Sequence, residues 1–206
     1  ALELRPCLVL TNATKPLEMR LDDVAKLKNK PHELSFRVSF DFPDPKKHDA
    51  GRGQGNFELA LQTMAKLHEL GFNVSIARHR EQDEDVKKVD KAYQKYFKYA
   101  NIPSDTRIVS FPDFLTPGSL ADVPHITEHC MTTYHTEESR DSFMCNLSKM
   151  VVKKDGKMRV YACTLVDDDE DYDLGGTLTE AMKVRVMMKH HRCYSCFAFG
   201  ASCSEL

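Results

Sequence analysis

The chain has 206 residues, and its 29 Lys and Arg nearly balance its 31 Asp and Glu, giving a formal net charge of −2. This balance gives no electrostatic reason to expect nucleic acid or an acidic membrane surface as a partner. No stretch reaches the roughly 20 apolar residues that span a bilayer, and the N-terminus lacks a basic region followed by an apolar one. We therefore expect a cytoplasmic protein with a small ligand, no nucleic acid and no membrane.

Short apolar runs alternate with amphipathic helical stretches through the first 115 residues. The pattern predicts strands at 7–11, 34–40, 72–77 and 107–111, and helices at 21–29, 56–70 and 84–100. Asn56 is a suitable N-cap for the second of these helices, and Gly71 is well placed to end it. The order βαβαβαβ favours parallel strands joined by right-handed helical crossovers. Ligands of such sheets gather at the carboxyl ends of the strands.

The character of the sequence changes after this alternating part. Residues 116–142 are polar and proline-containing, and we interpret them as a connector. Beyond them, residues 145–152 and 157–164 flank the turn dipeptide Asp155–Gly156, which predicts an antiparallel hairpin. The acidic run at 167–173 is expected to be a solvated loop, and 178–188 a helix that leads into a cysteine-containing loop. The domain boundaries are thus expected at 1–115, 116–142 and 143–206.

Five of the seven cysteines fall in the last part of the chain. An odd cysteine count without a secretory signal favours metal ligation over disulfides. Thiolates suit either a four-iron cluster or zinc, and the two-residue gap between Cys193 and Cys196 is common to both. His190 and His191 are further candidates for zinc, and unligated buried thiols are the remaining alternative. The candidate metal ligands are Cys145, Cys163, Cys193, Cys196 and Cys203.

Polar residues at the end of the second predicted strand suggest a ligand site. Ser39 and Asp41 lie on one face of that strand, near its carboxyl end, where they could meet the hydroxyl or amine of a cofactor. A capped strand end is the alternative. The glycines at 51, 53 and 55 precede a helix and could expose amides to an anion. A tight loop without ligand is the alternative for this stretch, with Arg52 pairing with Asp41 or Asp49.

Stretches in both halves of the chain resemble the radical S-adenosylmethionine (radical SAM) enzymes. Residues 155–163 (DGKMRVYAC) and 173–178 (DLGGTL), together with the terminal cysteines, are similar to the auxiliary iron–sulfur module called SPASM or twitch. Residues 34–41 (LSFRVSFD), the His48-Asp49 and Arg52-Gly53 pairs and residues 73–76 (NVSI) resemble the middle strands of a radical SAM barrel. Residues 9–12 (VLTN) resemble the preceding strand, which often ends in Thr-Asn.

The resemblance implies an α/β fold: the C-terminal part of a partial (β/α) TIM-like barrel with parallel strands, followed by a small cysteine-rich module with a β-hairpin. It implies contact with S-adenosylmethionine through a set of residues at the strand ends, and an auxiliary 4Fe-4S cluster on the five cysteines. The intact enzyme would form a 5′-deoxyadenosyl radical that abstracts hydrogen from a small-molecule or peptide substrate, and it would need an electron donor. The implied cofactor contacts are Asn12, Ser39, Asp41 and Arg52.

The motif that such catalysis requires, C-x3-C-x2-C, does not occur among the seven cysteines. The sequence therefore predicts a piece of a radical SAM protein that is inactive alone, and whether it counts as an enzyme is left open. One alternative is a non-catalytic zinc or iron–sulfur module on an α/β scaffold. Another is an enzyme that is complete at this length and uses the loop at 48–55.

Overall fold

The computed structural model of the chain describes residues 1–81, 84–112, 125 and 127–199. The chain divides into two compact units, Ala1–Phe111 and Pro112–Leu206. No helix in the described ranges is both long enough and apolar enough to cross a bilayer.

The first unit is a mixed α/β fold with a four-stranded parallel sheet in the order β1-β2-β3-β4. The four strands agree with the predicted ones to within a few residues and are Cys7–Thr11 (β1), Leu34–Ser39 (β2), Asn73–Arg80 (β3) and Ile108–Pro112 (β4). The sheet is open. The helices of this unit are Lys15–Glu18 (α1), Leu21–Ala25 (α2), Pro45–Arg52 (α3), Asn56–Glu69 (α4) and Val86–Tyr99 (α5), with a 3₁₀ turn at Lys26–Asn29.

One face of this sheet packs against helices. Alternate residues of β2 and β3 point the same way, and on this face they are apolar and buried together with one side of α4 and α5. The α4 helix carries its apolar residues three or four positions apart, and Gly71, with φ of 79°, follows its last turn as predicted. The strand residues that make this core are Leu34, Phe36, Val38, Val74 and Ile76.

The opposite face of the same strands is polar. Ser35, Arg37 and Ser39 of β2 alternate with the buried apolar residues, and the register places Asn73 beside Ser35 and Ser75 beside Arg37. Arg37 is buried and its Nε donates to Ser75 Oγ at 3.2 Å. The helices of this unit contribute their apolar residues to the other face, so β2 and β3 separate a helix-covered side from a polar side, to which β1 adds the exposed Leu8 and Leu10.

The second unit is built from short elements around a small core. Its elements are Cys130–Thr133 (α6), Glu137–Asp141 (α7), Met144–Leu147 (α8), Met150–Lys154 (β5), Lys157–Tyr161 (β6), a 3₁₀ turn at Glu170–Tyr172, Leu178–Ala181 (α9) and His191–Phe199 (α10). The predicted connector thus includes two short helices, α6 and α7; residues 116–124 and 126 of it lie outside the described residues.

The predicted hairpin is present as β5 and β6. Their turn is Asp155–Gly156, whose φ angles are 50° and 78°, so both residues adopt the positive φ that a tight two-residue hairpin turn requires. The end of the acidic run folds against this hairpin, while Asp167, Asp168, Glu170 and Asp171 are exposed, as expected of a solvated loop. Arg159 Nε and Nη2 each donate to the Asp173 carboxylate at 2.8 Å, and Tyr172 is buried in the core of the unit.

Four local predictions were wrong. Cys145 lies in α8 and not in a strand, and the helix expected at 178–188 ends at Ala181. Cys193 and Cys196 lie on the helix α10, where a loop was expected. The N-cap of α4 is Gly55, and Asn56 is the first helical residue, with its side-chain amide donating to Arg52 O at 2.5 Å.

Candidate functional site

Four of the five predicted metal ligands line a single cavity in the second unit. Cys145, Cys163, Cys193 and Cys196 share this space, which is walled mainly by apolar side chains from the core of the unit. We call it the cysteine cavity; the other residues that line it are Phe143, Met144, Ala162, Leu165, Val166, Tyr172, Val186, Met188 and Arg192.

Three separate parts of the chain bring these thiols together. Cys145 lies in α8, just before the hairpin, and Cys163 follows the end of β6. Cys193 and Cys196 are three residues apart on α10, a spacing that places both side chains on one face of a helix. Thiols that are up to 51 positions apart in the sequence therefore line one site.

The cavity is unfavourable for thiolates as it stands. Cys145, Cys163 and Cys193 carry free thiols, and burial raises the pKa of each. The neighbouring Cys163 and Cys193 raise the pKa of Cys145 further, because adjacent thiolates would repel one another. The Lys149 ammonium acts in the opposite direction on Cys145 and Cys163, as a lesser influence. A bound cation would offset both the cost of burying the thiolates and their mutual repulsion.

Few polar groups accompany the thiols. The Leu165 backbone N–H donates to Cys163 Sγ at 3.4 Å. The Tyr172 hydroxyl accepts from the backbone N–H groups of Lys189 and His190, at 3.0 and 2.7 Å, which fixes the chain just before α10. Arg192 donates to Leu165 O at 2.7 Å and thereby ties α10 to the segment that follows β6.

The cavity has a volume of about 30 Å³. This is room for roughly two water molecules, so a larger group requires the lining side chains to move apart. Cys203, the fifth predicted ligand, lies outside the described residues. Within the described ranges, no three His, Cys, Asp or Glu side chains are arranged to hold one metal ion.

The carboxyl end of the parallel sheet brings together three of the four predicted cofactor contacts. Arg52 Nε and Nη2 donate to the two oxygens of Asp41 at 2.6 and 2.9 Å, and Arg52 Nη1 donates to Asn12 Oδ1 at 2.8 Å. Asn12 directly follows β1, Asp41 follows β2, and Arg52 ends α3. Ser39, the fourth, is the last residue of β2 and is half-buried. The internal pairing of Arg52 with Asp41 that the sequence allowed is therefore present.

The glycine-containing loop before α4 binds a carboxylate of its own chain. Asp49 Oδ2 accepts from the Gly55 N–H at 2.7 Å, and Asp49 Oδ1 accepts from the Phe57 N–H at 2.8 Å. These hydrogen bonds lower the pKa of Asp49. The amides that the sequence offered to an external anion at these two positions are thus occupied, and the tight-loop alternative describes them correctly.

Sequence reasoning missed Arg78, a buried cation near the end of β3. Its fully buried guanidinium pairs with Glu84 at 2.6 Å and with Asp90 at 2.8 Å, and Asp90 lies on α5. Along β3, Arg78 follows Val74 and Ile76 at every second position and so lies on the same buried face. A charged residue at the next position of an apolar alternation was the signal available in the sequence. Similarly, Tyr172 is the one aromatic residue in the acidic run at 167–173, which marked it as a buried anchor.

Comparison of the chain with models of protein families, with curated proteins and with solved structures gives no match.

Proposed function

We propose that the cysteine cavity binds an iron–sulfur cluster and that the chain is the cofactor-holding part of a radical SAM enzyme. The observation that carries this proposal is that Cys145, Cys163, Cys193 and Cys196 line one apolar cavity although they come from three parts of the chain. Four thiolates are the ligand set of a 4Fe-4S cluster. The sequence resemblance, which pointed to these cysteines on other grounds, supports the same assignment.

The residues around the thiols suit this role. The walls of the cavity are mainly apolar, and the Leu165 N–H donates to Cys163 Sγ, as backbone amides do to cluster sulfurs whose potential they tune. Lys149 places a positive charge near Cys145 and Cys163, which offsets part of the negative charge of a thiolate set. A bound cluster supplies electron transfer or an anchor for substrate.

The first unit supports the barrel part of the proposal. Its strands follow one another in sequence order without reversal, and the helices in its described part pack on one face. In a (β/α) barrel, helices cover the outside and the other face of the sheet lines the interior. The four strands are thus proposed to be a segment of such a barrel, with the polar face that carries Ser35, Arg37 and Ser39 turned inward.

S-adenosylmethionine is proposed to bind at the carboxyl ends of these strands, near Asn12, Ser39, Asp41 and Arg52. Arg52 holds the Asn12 and Asp41 side chains in fixed positions through three hydrogen bonds. Ligands of parallel α/β sheets bind at this edge. The cofactor offers a carboxylate, an amine and ribose hydroxyls, which are groups that amide, hydroxyl and charged side chains of this kind recognise.

Turnover is not assigned to this chain alone. The radical reaction needs cysteines spaced as C-x3-C-x2-C, and the sequence contains no such set. The substrate, a small molecule or a peptide, and an electron donor belong to the proposal for the intact enzyme.

The test is the metal content of the chain after anaerobic purification and treatment with iron and sulfide. We expect a brown protein with nearly equal amounts of iron and acid-labile sulfide. A colourless protein with stoichiometric zinc and no iron would support the alternative, a zinc module without redox chemistry, and would show that the cavity does not bind an iron–sulfur cluster.

A further inference from the structure

A second concave surface lies in the second unit, and its chemistry differs from that of the cysteine cavity. This groove has a volume of about 280 Å³ and is lined by eleven residues, most of them apolar. We call it the methionine groove, after its lining residues Met131, Met182 and Met188. Methionine side chains are flexible and polarizable, which lets a surface adapt to inserted side chains of different shape.

The apolar wall of the groove is open to solvent. Met182 is 64% exposed and Val184 is 47% exposed, and both belong to the segment between α9 and α10 that was expected to be helical. Exposed apolar side chains that meet in a concave surface mark binding sites more often than isolated ones do.

Every charged residue that lines the groove is positive. Arg140 Nη1 donates to the main-chain carbonyls of Met131 and His135, and Lys149 Nζ donates to those of Cys145 and Ser148. Neither side chain forms an ion pair with a carboxylate of the described residues. The charges of these two lining residues are therefore not neutralised by an acidic partner.

Charges of both signs surround the groove, so its positive character comes from its lining residues Arg140 and Lys149. Lys183 and Arg185 are exposed and alternate with the lining residues Met182, Val184 and Val186. The neighbouring elements also carry exposed acids, namely Glu137, Glu138, Asp141 and Glu180, and hydrogen bonds from neutral amides orient two of them without removing their charge. Asp141 accepts from the Asn146 amide at 3.2 Å, and the Glu180 carboxylate accepts from the backbone N–H groups of Gly176 and Thr177 at 3.1 Å each.

From this complementarity we infer that the methionine groove binds an acidic segment of a partner protein, with an apolar side chain of that segment inserted among the methionines. The apolar wall supplies the anchor, and the basic rim selects acidic neighbours and excludes basic ones. The inference needs no bound cluster, although the groove shares Phe143, Cys145, Val186 and Met188 with the lining of the cysteine cavity.

The test is the binding of short fluorescent peptides to the full chain, followed by fluorescence anisotropy. The first probe alternates glutamate with leucine, the second alternates lysine with leucine, and the third alternates glutamate with serine. We expect the first to bind, to weaken as salt is added, and to bind at least about tenfold more tightly than the other two. Equal binding of the lysine–leucine probe, or no binding of the glutamate–leucine probe, would overturn the inference.

Two matched variants locate the site. Met182 and Met187 are 64% and 61% exposed and lie five residues apart, but only Met182 lines the groove. We expect Met182→Glu to weaken binding of the glutamate–leucine peptide by about tenfold or more, because it places a negative charge in the apolar wall. Met187→Glu adds the same charge outside the groove and should leave most of the binding intact. Equal loss in both variants would show non-specific attraction and contradict the assignment.

Discussion

Arg52 donates two hydrogen bonds to the carboxylate of Asp41, from Nε at 2.6 Å and from Nη2 at 2.9 Å, at the carboxyl end of the parallel sheet. The remaining nitrogen of the guanidinium, Nη1, donates to Asn12 Oδ1. This arrangement links the ends of β1 and β2 to the last residue of α3, and it fixes the edge at which we propose that S-adenosylmethionine binds.

The bidentate geometry makes lysine a poor substitute for Arg52. An ammonium keeps the charge but cannot donate two parallel hydrogen bonds to one carboxylate and a third to Asn12. The two side chains are 30% and 21% exposed, so we expect Arg52→Lys to lower the free energy of unfolding by about 1 kcal/mol, measured by urea denaturation. The control is Lys26→Ala, which breaks the exposed pair with Asp23 and should leave the free energy of unfolding nearly unchanged. Equal effects would show that the Arg52 pair is an ordinary surface contact.

The two ends of β2 distinguish a ligand site from a merely polar strand face. Ser39 and Ser35 lie on the same face, four residues apart, but only Ser39 is at the carboxyl end. We expect Ser39→Ala to weaken binding of S-adenosylmethionine by about three- to tenfold, as for loss of one hydrogen bond, and Ser35→Ala to leave it unchanged. Isothermal titration calorimetry measures both. A larger effect of Ser35→Ala would place the cofactor elsewhere.

A buried histidine, His48, and a half-buried one, His68, make the first unit sensitive to acid. Burial lowers the pKa of His48 and of His68, and one buried ring nitrogen in each has no hydrogen-bond partner among the described residues. As the pH falls, the histidines of the unfolded chain bind protons before those of the folded chain, because their pKa is higher. The contribution of the neutral histidines to the free energy of unfolding is therefore complete above the ordinary histidine pKa of about 6.5, and it is lost as the pH falls below that value. Each histidine contributes a slope of up to about 1.4 kcal/mol per pH unit.

Urea denaturation between neutral pH and about pH 5 checks this dependence. We expect stability to fall over that range in the native chain and to fall less steeply in His48→Gln. The exposed His129 is the control, and His129→Gln should retain the full slope. A native chain whose stability does not change with pH over this range would mean that the two histidines are protonated without cost.

The hairpin turn depends on a glycine, while another glycine is dispensable. Gly156 has φ of 78°, which L-residues rarely adopt, and Gly51 lies inside α3 with nothing within 4 Å of the position of an added Cβ. We expect Gly156→Ala to destabilise the second unit by about 1 kcal/mol and Gly51→Ala to stabilise the first by about 0.5–1 kcal/mol. Thermal denaturation followed by circular dichroism compares the two. The same sign for both would contradict either the left-handed backbone at Gly156 or the open helical position of Gly51.

The first unit was largely predictable from the sequence, because its signals are local. The apolar alternation of β2, the three-to-four spacing in α4 and the helix stop at Gly71 each depend on residues close in the chain. Local patterns could not predict that the sheet is open with helices on one face, because this arrangement depends on how the successive crossover helices pack. Asp49 was also beyond local patterns, because its capping of the α4 amides requires α3 to fold back.

The second unit was less predictable because tertiary contacts override local preference there. Residues 191–199 have few strong helix formers, yet they form α10, whose Cys193 and Cys196 face the cysteine cavity. After Ala181 the chain has valines at alternate positions, and the predicted helix stops. The grouping of the cysteines was suggested by the resemblance, while their shared cavity required the fold.

The iron retained after anaerobic loading with iron and sulfide, and removal of unbound metal, tests whether the cysteine cavity holds the cluster, and it is compared among three forms of the chain. Cys163 lines the cysteine cavity, whereas Cys130 is a buried cysteine outside its lining, with its Sγ accepting from the Thr127 N–H. We predict that Cys163→Ser loses most of the bound iron and sulfide, and that Cys130→Ser retains as much as the native chain. Equal retention of iron in Cys163→Ser and the native chain, or no iron in any of the three forms, would show that the cysteine cavity does not bind the cluster.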